Sequence, residues 1–187
     1  MAAREAYFWD SNVFYRFLSG QPDECVPDLK QFVKEAQEGK CDILCSTLAF
    51  AEIRPSALLT AGFASIGEFF EDAQSVFKPI APSPDIMIKA AVLKDWKYKH
   101  AVKSPRQIGT PDAIQLATCL HAREDLKIAN LIFHTFDDGK SKIMGEKSVS
   151  LLSFEEWLVG CNEALQLRIA NMPRQKPLHP SPELLHT

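Results

Sequence analysis

The chain has 187 residues, 46% of them apolar and 24% charged, a globular composition that excludes a wholly disordered or collagen-like chain. Its length fits one domain, or one domain with an extra terminal element. A formal net charge of −3 excludes nucleic-acid binding by bulk positive charge, so any such site has to be local.

At the N-terminus, residues 6–9 form an apolar run too short for a signal-peptide core. No apolar run reaches the length of a membrane-spanning helix. The cysteines Cys25, Cys41, Cys45, Cys119 and Cys161 are odd in number and read as reduced thiols. Cys41 and Cys45 lack the second Cys or His pair that a zinc site requires. The expectation is a cytoplasmic protein without a membrane partner.

Residues 6–9 predict a first strand that stops at Asp10. Ser11 and Asn12 are cap-type residues, and Val13, Phe14, Phe17 and Leu18 follow at helical spacing. Gly20-Gln21-Pro22 breaks the pattern. Residues 28–39 form a helix with Leu29, Phe32, Val33 and Ala36 on one face and Gly39 as the stop. Residues 41–45 are a second strand, Ser46 or Thr47 a cap, and 48–53 a helix that Pro55 kinks or ends. A helix over 66–75 precedes an edge strand over 76–80, where Pro79 cannot donate to a ladder.

Residues 85–97 form an amphipathic helix with Ile86, Ala90, Leu93 and Trp96 inward. Residues 97–109 are polar and basic and read as a loop or a helix end. Thr110-Pro111-Asp112 opens the next helix, with Thr110 as N-cap and the acid at the positive end of the dipole. Its buried stripe is Ala113, Leu116, Ala117 and Leu120. Strands over 130–135 and 149–152 and a helix over 154–169 follow. The folded domain is expected to span 1–170, and the proline-rich stretch 171–187 to be an extended tail. Strands alternating with helices imply an α/β fold, a mainly parallel sheet covered on both faces.

Asp10 follows the first strand, Asp137 follows the strand over 130–135, and Asp112 sits in the first turn of a helix. Ligands of open α/β sheets gather beyond the carboxyl ends of the strands. Glu52, about two turns into the helix after the second strand, can face the same crevice. Each acid also has an ordinary structural explanation: Asp10 as a helix cap, Asp112 for the helix dipole, Asp137-Asp138-Gly139 as turn chemistry, Glu52 as a solvated residue. Together they pose a sharper problem, because converging carboxylates repel one another. A hard divalent cation relieves that repulsion, and Mg²⁺ binds oxygen ligands while keeping several waters. A metal so held activates water and polarises a phosphoryl oxygen, which makes a phosphodiester the natural substrate.

Four segments, Tyr7-Phe8-Trp9-Asp10-Ser11-Asn12, Leu48-Ala49-Phe50-Ala51-Glu52-Ile53, Pro111-Asp112-Ala113-Ile114-Gln115-Leu116-Ala117 and Thr135-Phe136-Asp137, resemble in order the signature segments of PIN domains. The nearest group is the VapC-type toxins of bacterial toxin–antitoxin pairs. The resemblance spans residues 6–152. It implies a three-layer α/β/α fold with a five-stranded, mainly parallel sheet, and a Mg²⁺- or Mn²⁺-dependent ribonuclease. By motif position Asp10, Glu52, Asp112 and Asp137 take the family's acidic places, with Asp10, Asp112 and Asp137 holding the metal. Asn12 and Thr135 match the polar companions that support it. Asp138 reads as an extra acid around the metal or, in preference, as a turn residue. The implied partners are an RNA substrate and a cognate antitoxin. The C-terminal helix and tail extend beyond a compact toxin.

Lys97, Lys99, Lys103 and Arg106, with Lys94 and His100, make a basic stretch interleaved with Trp96 and Tyr98. Cations for phosphates and aromatics for stacking suit single-stranded RNA; a solvated helix end with Trp96 in the core is the plainer account. His134 reads as structural and His121 as a helix-surface residue. The helix over 154–169 carries Trp157, Leu158, Cys161, Leu165 and Ile169 on one face, for packing on its own sheet or for a homodimer contact. Two other functions compete with the ribonuclease: a non-catalytic PIN-like module binding RNA or protein, and a small-molecule phosphatase or phosphotransferase. Against the phosphatase, Asp10-Ser11-Asn12 lacks a second aspartate two residues on, and no Gly-rich phosphate loop is present.

Overall fold

The computed structural model describes residues 4–18, 24–140 and 148–180. Its strands are β1 (Glu5–Trp9), β2 (Cys41–Ser46), β3 (Phe77–Ile80), β4 (Leu131–His134) and β5 (Arg174–Gln175). Helices α1 (Ser11–Leu18) and α2 (Val26–Gln37) connect β1 to β2, and α3 (Leu48–Glu52), α4 (Pro55–Thr60) and α5 (Ile66–Gln74) connect β2 to β3. Helices α6 (Pro84–Asp95) and α7 (Thr110–Glu124) lead to β4, and a 3₁₀ turn (Phe154–Trp157) and α8 (Ala164–Ala170) lead to β5. The five strands form one parallel sheet in the order β3-β2-β1-β4-β5.

Strand side chains alternate between faces, and both faces are covered. Ala6, Phe8, Leu44 and Phe133 pack beneath α6 and α7. Tyr7, Trp9, Ile43 and Cys45 meet Phe14, Leu29, Phe32 and Phe50 from the helices of the other layer. The result is a three-layer α/β/α fold. Each fully buried large side chain, Trp9 and Phe14 among them, contributes roughly 1.5–3 kcal/mol of transfer free energy.

From β1 the chain steps outward through β2 to β3, then crosses the other face through α6 and α7 and enters β4 on the opposite side of β1. Connections therefore diverge at the carboxyl ends of β1 and β4, which opens a crevice there. Asp10 and Thr135 are the residues directly beyond those two strand ends.

Most expected elements are present, with shifts of a residue or two. The proline-bearing β3 lies at a sheet edge, where a missing N–H leaves no ladder bond unmade. Gly39 has a φ of +71° just past α2, as a helix stop requires. Pro55 ends one helix and starts another: Ile53 and Arg54 are extended, and Pro55 lies in the first turn of α4. Glu52 is therefore the last residue of a short helix. The Gly20-Gln21-Pro22 break lies outside the described residues.

Three expectations fail, two of them at the C-terminal side. Residues 149–152 form no strand; Val149 and Leu151 are core residues in an irregular segment. The place beside β4 belongs to the supposed tail, where Phe133 N–H donates to Pro173 O at 2.9 Å and Thr135 N–H to Gln175 O at 3.1 Å. An apolar run alone does not distinguish a strand from a buried loop. Residues 154–169 are not one helix either, because Gly160 turns with a φ of +72° between the 3₁₀ turn and α8. The apolar face is nevertheless turned inward, with Trp157, Cys161 and Ile169 buried. Finally, Thr110 is the first helical residue of α7; Gly109 is its N-cap.

The stretch after α8 is tied down along its described length. Arg174 donates to the last carbonyls of α8, Ile169 O and Ala170 O, and His179 N–H donates to Asp28 on α2 at 3.0 Å. A chain ending at residue 172 would leave the Phe133 and Thr135 N–H groups unpaired, at roughly 1–3 kcal/mol each. Its thermal midpoint should fall by at least about 5 °C. An unchanged midpoint would show that β5 adds nothing to the sheet.

Candidate functional site

Asp10 is buried on the crevice floor, and its carboxylate is fully engaged. Oδ1 accepts the Ser11 N–H at 2.7 Å. Oδ2 accepts from Asn12 Nδ2 at 2.6 Å and from the Thr135 hydroxyl at 2.8 Å. Asn12 also donates to Thr135 Oγ1 at 3.0 Å, and its Oδ1 accepts the Phe136 N–H at 3.0 Å. Thr135 Oγ1 in turn accepts the Asp137 N–H at 3.1 Å. Asn12 and Thr135 thus clamp the segments after β1 and β4 to each other and aim Asp10.

Asp112 and Asp137 are half-buried beside this floor. Asp112, in the first turn of α7, takes a hydrogen bond from the backbone of Gly109, the acid half of a capping box. Its dipole role and its place in the crevice therefore coexist. Asp137 Oδ1 accepts the Gly139 N–H at 2.7 Å, and Gly139 turns with a φ of +76°. A Cβ on Gly139 would lie 3.0 Å from Ser148 O and 3.1 Å from Ser150 N, so this turn requires glycine both for its dihedral and for space. Asp138 is exposed, and its Oδ1 accepts the Lys140 N–H at 3.0 Å, which is the behaviour of a turn residue.

These acids feel one another. Burial, then the charge of Asp112 and to a lesser degree that of Asp137, push the Asp10 carboxyl up to about 8 against the hydrogen bonds from Thr135 and Ser11. Burial, then Asp137 and Glu52, push Asp112 up to about 7. Asp137 is raised by burial and by Asp138, against its bond from Gly139. Fold and electrostatics thus bring three of the sequence-selected acids into one crevice. Among the described residues, no three Asp, Glu, His or Cys side chains form a ready-made metal cage.

Glu52 is present too, held differently from the other three. The Ser11 hydroxyl donates to Glu52 Oε2, and the Tyr15 hydroxyl donates to the Glu52 carbonyl. Gln115, buried on α7 three residues after Asp112, donates from Nε2 to Ser11 Oγ at 2.7 Å and to Glu52 Oε2 at 3.5 Å. Sequence reasoning does not single out Ser11 or Gln115 as site residues. The available signal is spacing: Gln115 lies one turn beyond Asp112, on the same helix face, within the otherwise apolar run Ala113–Ala117. Its Oε1 is buried without a partner, a polar cost of the kind that concentrates at functional sites.

The basic stretch divides. Lys97, Lys99 and Lys103 are exposed and Arg106 is half-buried. Tyr98 is wholly buried, its hydroxyl donating to Leu93 O at 2.8 Å, so it offers no ring for stacking; Trp96 is half-buried against the core. His134 is buried among Tyr7 and Phe32 and its pKa is held down at about 3 by burial. His121 is a helix-surface residue paired with Asp125. Ser46 Oγ accepts the Leu48 N–H at 3.2 Å, which is a capping role. All five cysteines are free thiols.

The chain matches no protein-family model, and a search of curated proteins finds no significant relative. No helix among the described residues is long and apolar enough to cross a membrane.

The raised carboxyls make stability depend on pH. Asp10 titrates at about 8 when folded against an ordinary 3.8. Between those values the folded chain holds a proton that the unfolded chain releases. In chelator, stability should be fully present below about pH 4 and decline as pH rises toward 8. Thermal midpoints measured from pH 5 to pH 8 should fall by several degrees, at about 2–4 °C per kcal/mol. Asp10→Asn should flatten that fall. Parallel curves for the two proteins would contradict this electrostatic account.

Proposed function

We propose that the chain is a divalent-metal-dependent endoribonuclease of the PIN type, with Asp10, Asp112 and Asp137 as its metal-binding acids. The observation that carries this reading is the crowding of acids at the sheet's switch point, where burial and then the Asp112 charge raise Asp10, and burial and then the Asp137 and Glu52 charges raise Asp112. Carboxyls forced together in a buried crevice are strained without a counter-charge, and a cation supplies one. The donor set fits: every available group is a hard oxygen, suited to Mg²⁺ or Mn²⁺. A loose arrangement suits an ion that takes one or two carboxylates directly and reaches the rest through water.

When bound, such an ion lowers the pKa of water and polarises the phosphoryl oxygen. The chain's own residues do the rest. Asn12 and Thr135 each donate one hydrogen bond to the Asp10 carboxylate and are bonded to each other, which leaves it little freedom to reorient. The Gly139 turn sets Asp137, and the first turn of α7 sets Asp112. Glu52, secured at Oε2 by Ser11 and Gln115, serves as the group that orients the attacking water or as a further ligand. The exposed Lys97, Lys99 and Lys103 and the half-buried Arg106 supply cations for the RNA backbone.

The role that goes with this reading is that of a toxin neutralised by a cognate antitoxin, acting in the cytoplasm as a homodimer. The rival is a non-catalytic PIN-like module, which binds RNA or protein without cleavage and without a metal requirement.

The decisive comparison is RNA cleavage with Mg²⁺ or Mn²⁺ by the natural chain, Asp10→Asn and Asp112→Asn. Each substitution should reduce the rate by at least about 100-fold, the scale of losing one electrostatic element of a preorganised site. Equal rates in all three proteins would remove the assignment.

A further inference from the structure

Beside the acidic crevice lies a separate cavity of about 220 Å³, bordered by Lys103, Arg106, Lys140 and Trp157. That is room for about seven waters at roughly 30 Å³ each. It adjoins the acids through the Asp137 turn itself, because Asp138 and Gly139 form part of its wall. Three cations face one carboxylate there, on a chain whose net charge is −3.

Two of the three cations lie over an aromatic ring. Lys103 Nζ lies 5.3 Å and Arg106 Cζ 4.9 Å from the centroid of the Trp157 ring, within cation–π range. Arg106 is anchored twice more. Its backbone pairs with that of Tyr98 at 2.7 and 2.9 Å, and Nη1 donates to Ser148 O at 2.9 Å. That bond uses one of five guanidinium donors. Lys140 Nζ sits 3.5 Å from Asp138, both well exposed, a pair weak enough for an arriving anion to displace. Trp157 is 1% exposed, so it aligns the cations rather than offering a face for a base. The chemistry is that of a phosphate receptor, which positions a strand without reading its sequence.

We propose that this cavity is a phosphate subsite for single-stranded RNA, holding a phosphodiester next to the one cleaved in the crevice. The inference rests on the ribonuclease reading for its substrate, and its test is separable from that reading because binding is measured without metal. The titration is fluorescence anisotropy of a labelled single-stranded RNA oligonucleotide in EDTA over a range of salt. The proteins are the natural chain, Lys103→Gln, Lys140→Gln, the double variant, and Lys30→Gln on α2, which packs on the opposite layer. Each cavity substitution should flatten the log–log salt dependence by about 0.7 for each phosphate that is no longer neutralised. The double variant should bind about tenfold more weakly, and Lys30→Gln as the natural chain does.

Unchanged binding in the double variant overturns the subsite, even if RNA is still cleaved in Mg²⁺. Weakened binding in the double variant upholds it, even if the natural chain cleaves nothing. A competition arm separates the sources of phosphate. Adenosine monophosphate and inorganic phosphate should compete only at millimolar concentration, as expected of one subsite of a longer strand. Micromolar binding of the mononucleotide, abolished by the same substitutions, would make this a free-nucleotide site and overturn the strand subsite.

Discussion

The repulsion between carboxylates at the carboxyl ends of β1 and β4 is the constraint on which the rest of the site depends. Folding drives Asp10 to the floor of a crevice where water solvates it poorly, and sets Asp112 and Asp137 close enough that each charge raises its neighbour's pKa. A parallel α/β sheet makes such a crevice wherever successive connections diverge. This chain diverges between β1 and β4. Buried charges are tolerated when they are hydrogen-bonded or meet a counter-charge. Here the hydrogen bonds are supplied by Ser11, Asn12 and Thr135, and in the proposed function a divalent cation supplies the counter-charge.

The supporting residues explain why the arrangement persists. Asn12 bridges the ends of two strands that are more than a hundred positions apart in sequence, so the sheet's register and the crevice's geometry are linked. β5 contributes indirectly: it pairs with the backbone of Thr135, the residue whose hydroxyl meets Asp10. Ser11 and Gln115 form a second small network around Glu52. Glu52 is thus held by neutral donors of its own while its charge still adds to the elevation of Asp112.

Much of this is legible from residue patterns. β1 and β2 follow from short apolar runs, since both faces of those strands are buried, and α7 from the helical spacing of its apolar residues. Asp10 and Asp137 can be placed at the sheet edge without coordinates, since a strand that stops at an acid puts the acid there. The C-terminal region resists such reading because its information is not local. Val149 and Leu151 are as apolar as a strand yet pack as a loop, while Arg174 and Gln175, polar and beside Pro173, pair with β4 because that edge is open to them. The Gly160 turn is hidden inside an apolar pattern that spans two elements. Gln115 escapes a reading of its own helix because its importance is a distance across the fold, to Ser11.

The proposal to be tested is that the crevice acids hold a divalent cation. Anomalous diffraction from crystals soaked in Mn²⁺ tests it most directly. The account predicts a manganese peak bounded by the carboxylates of Asp10, Asp112 and Asp137, absent from crystals of Asp10→Asn. A map without that peak at millimolar Mn²⁺, or with manganese bound only elsewhere on the molecule, would contradict it.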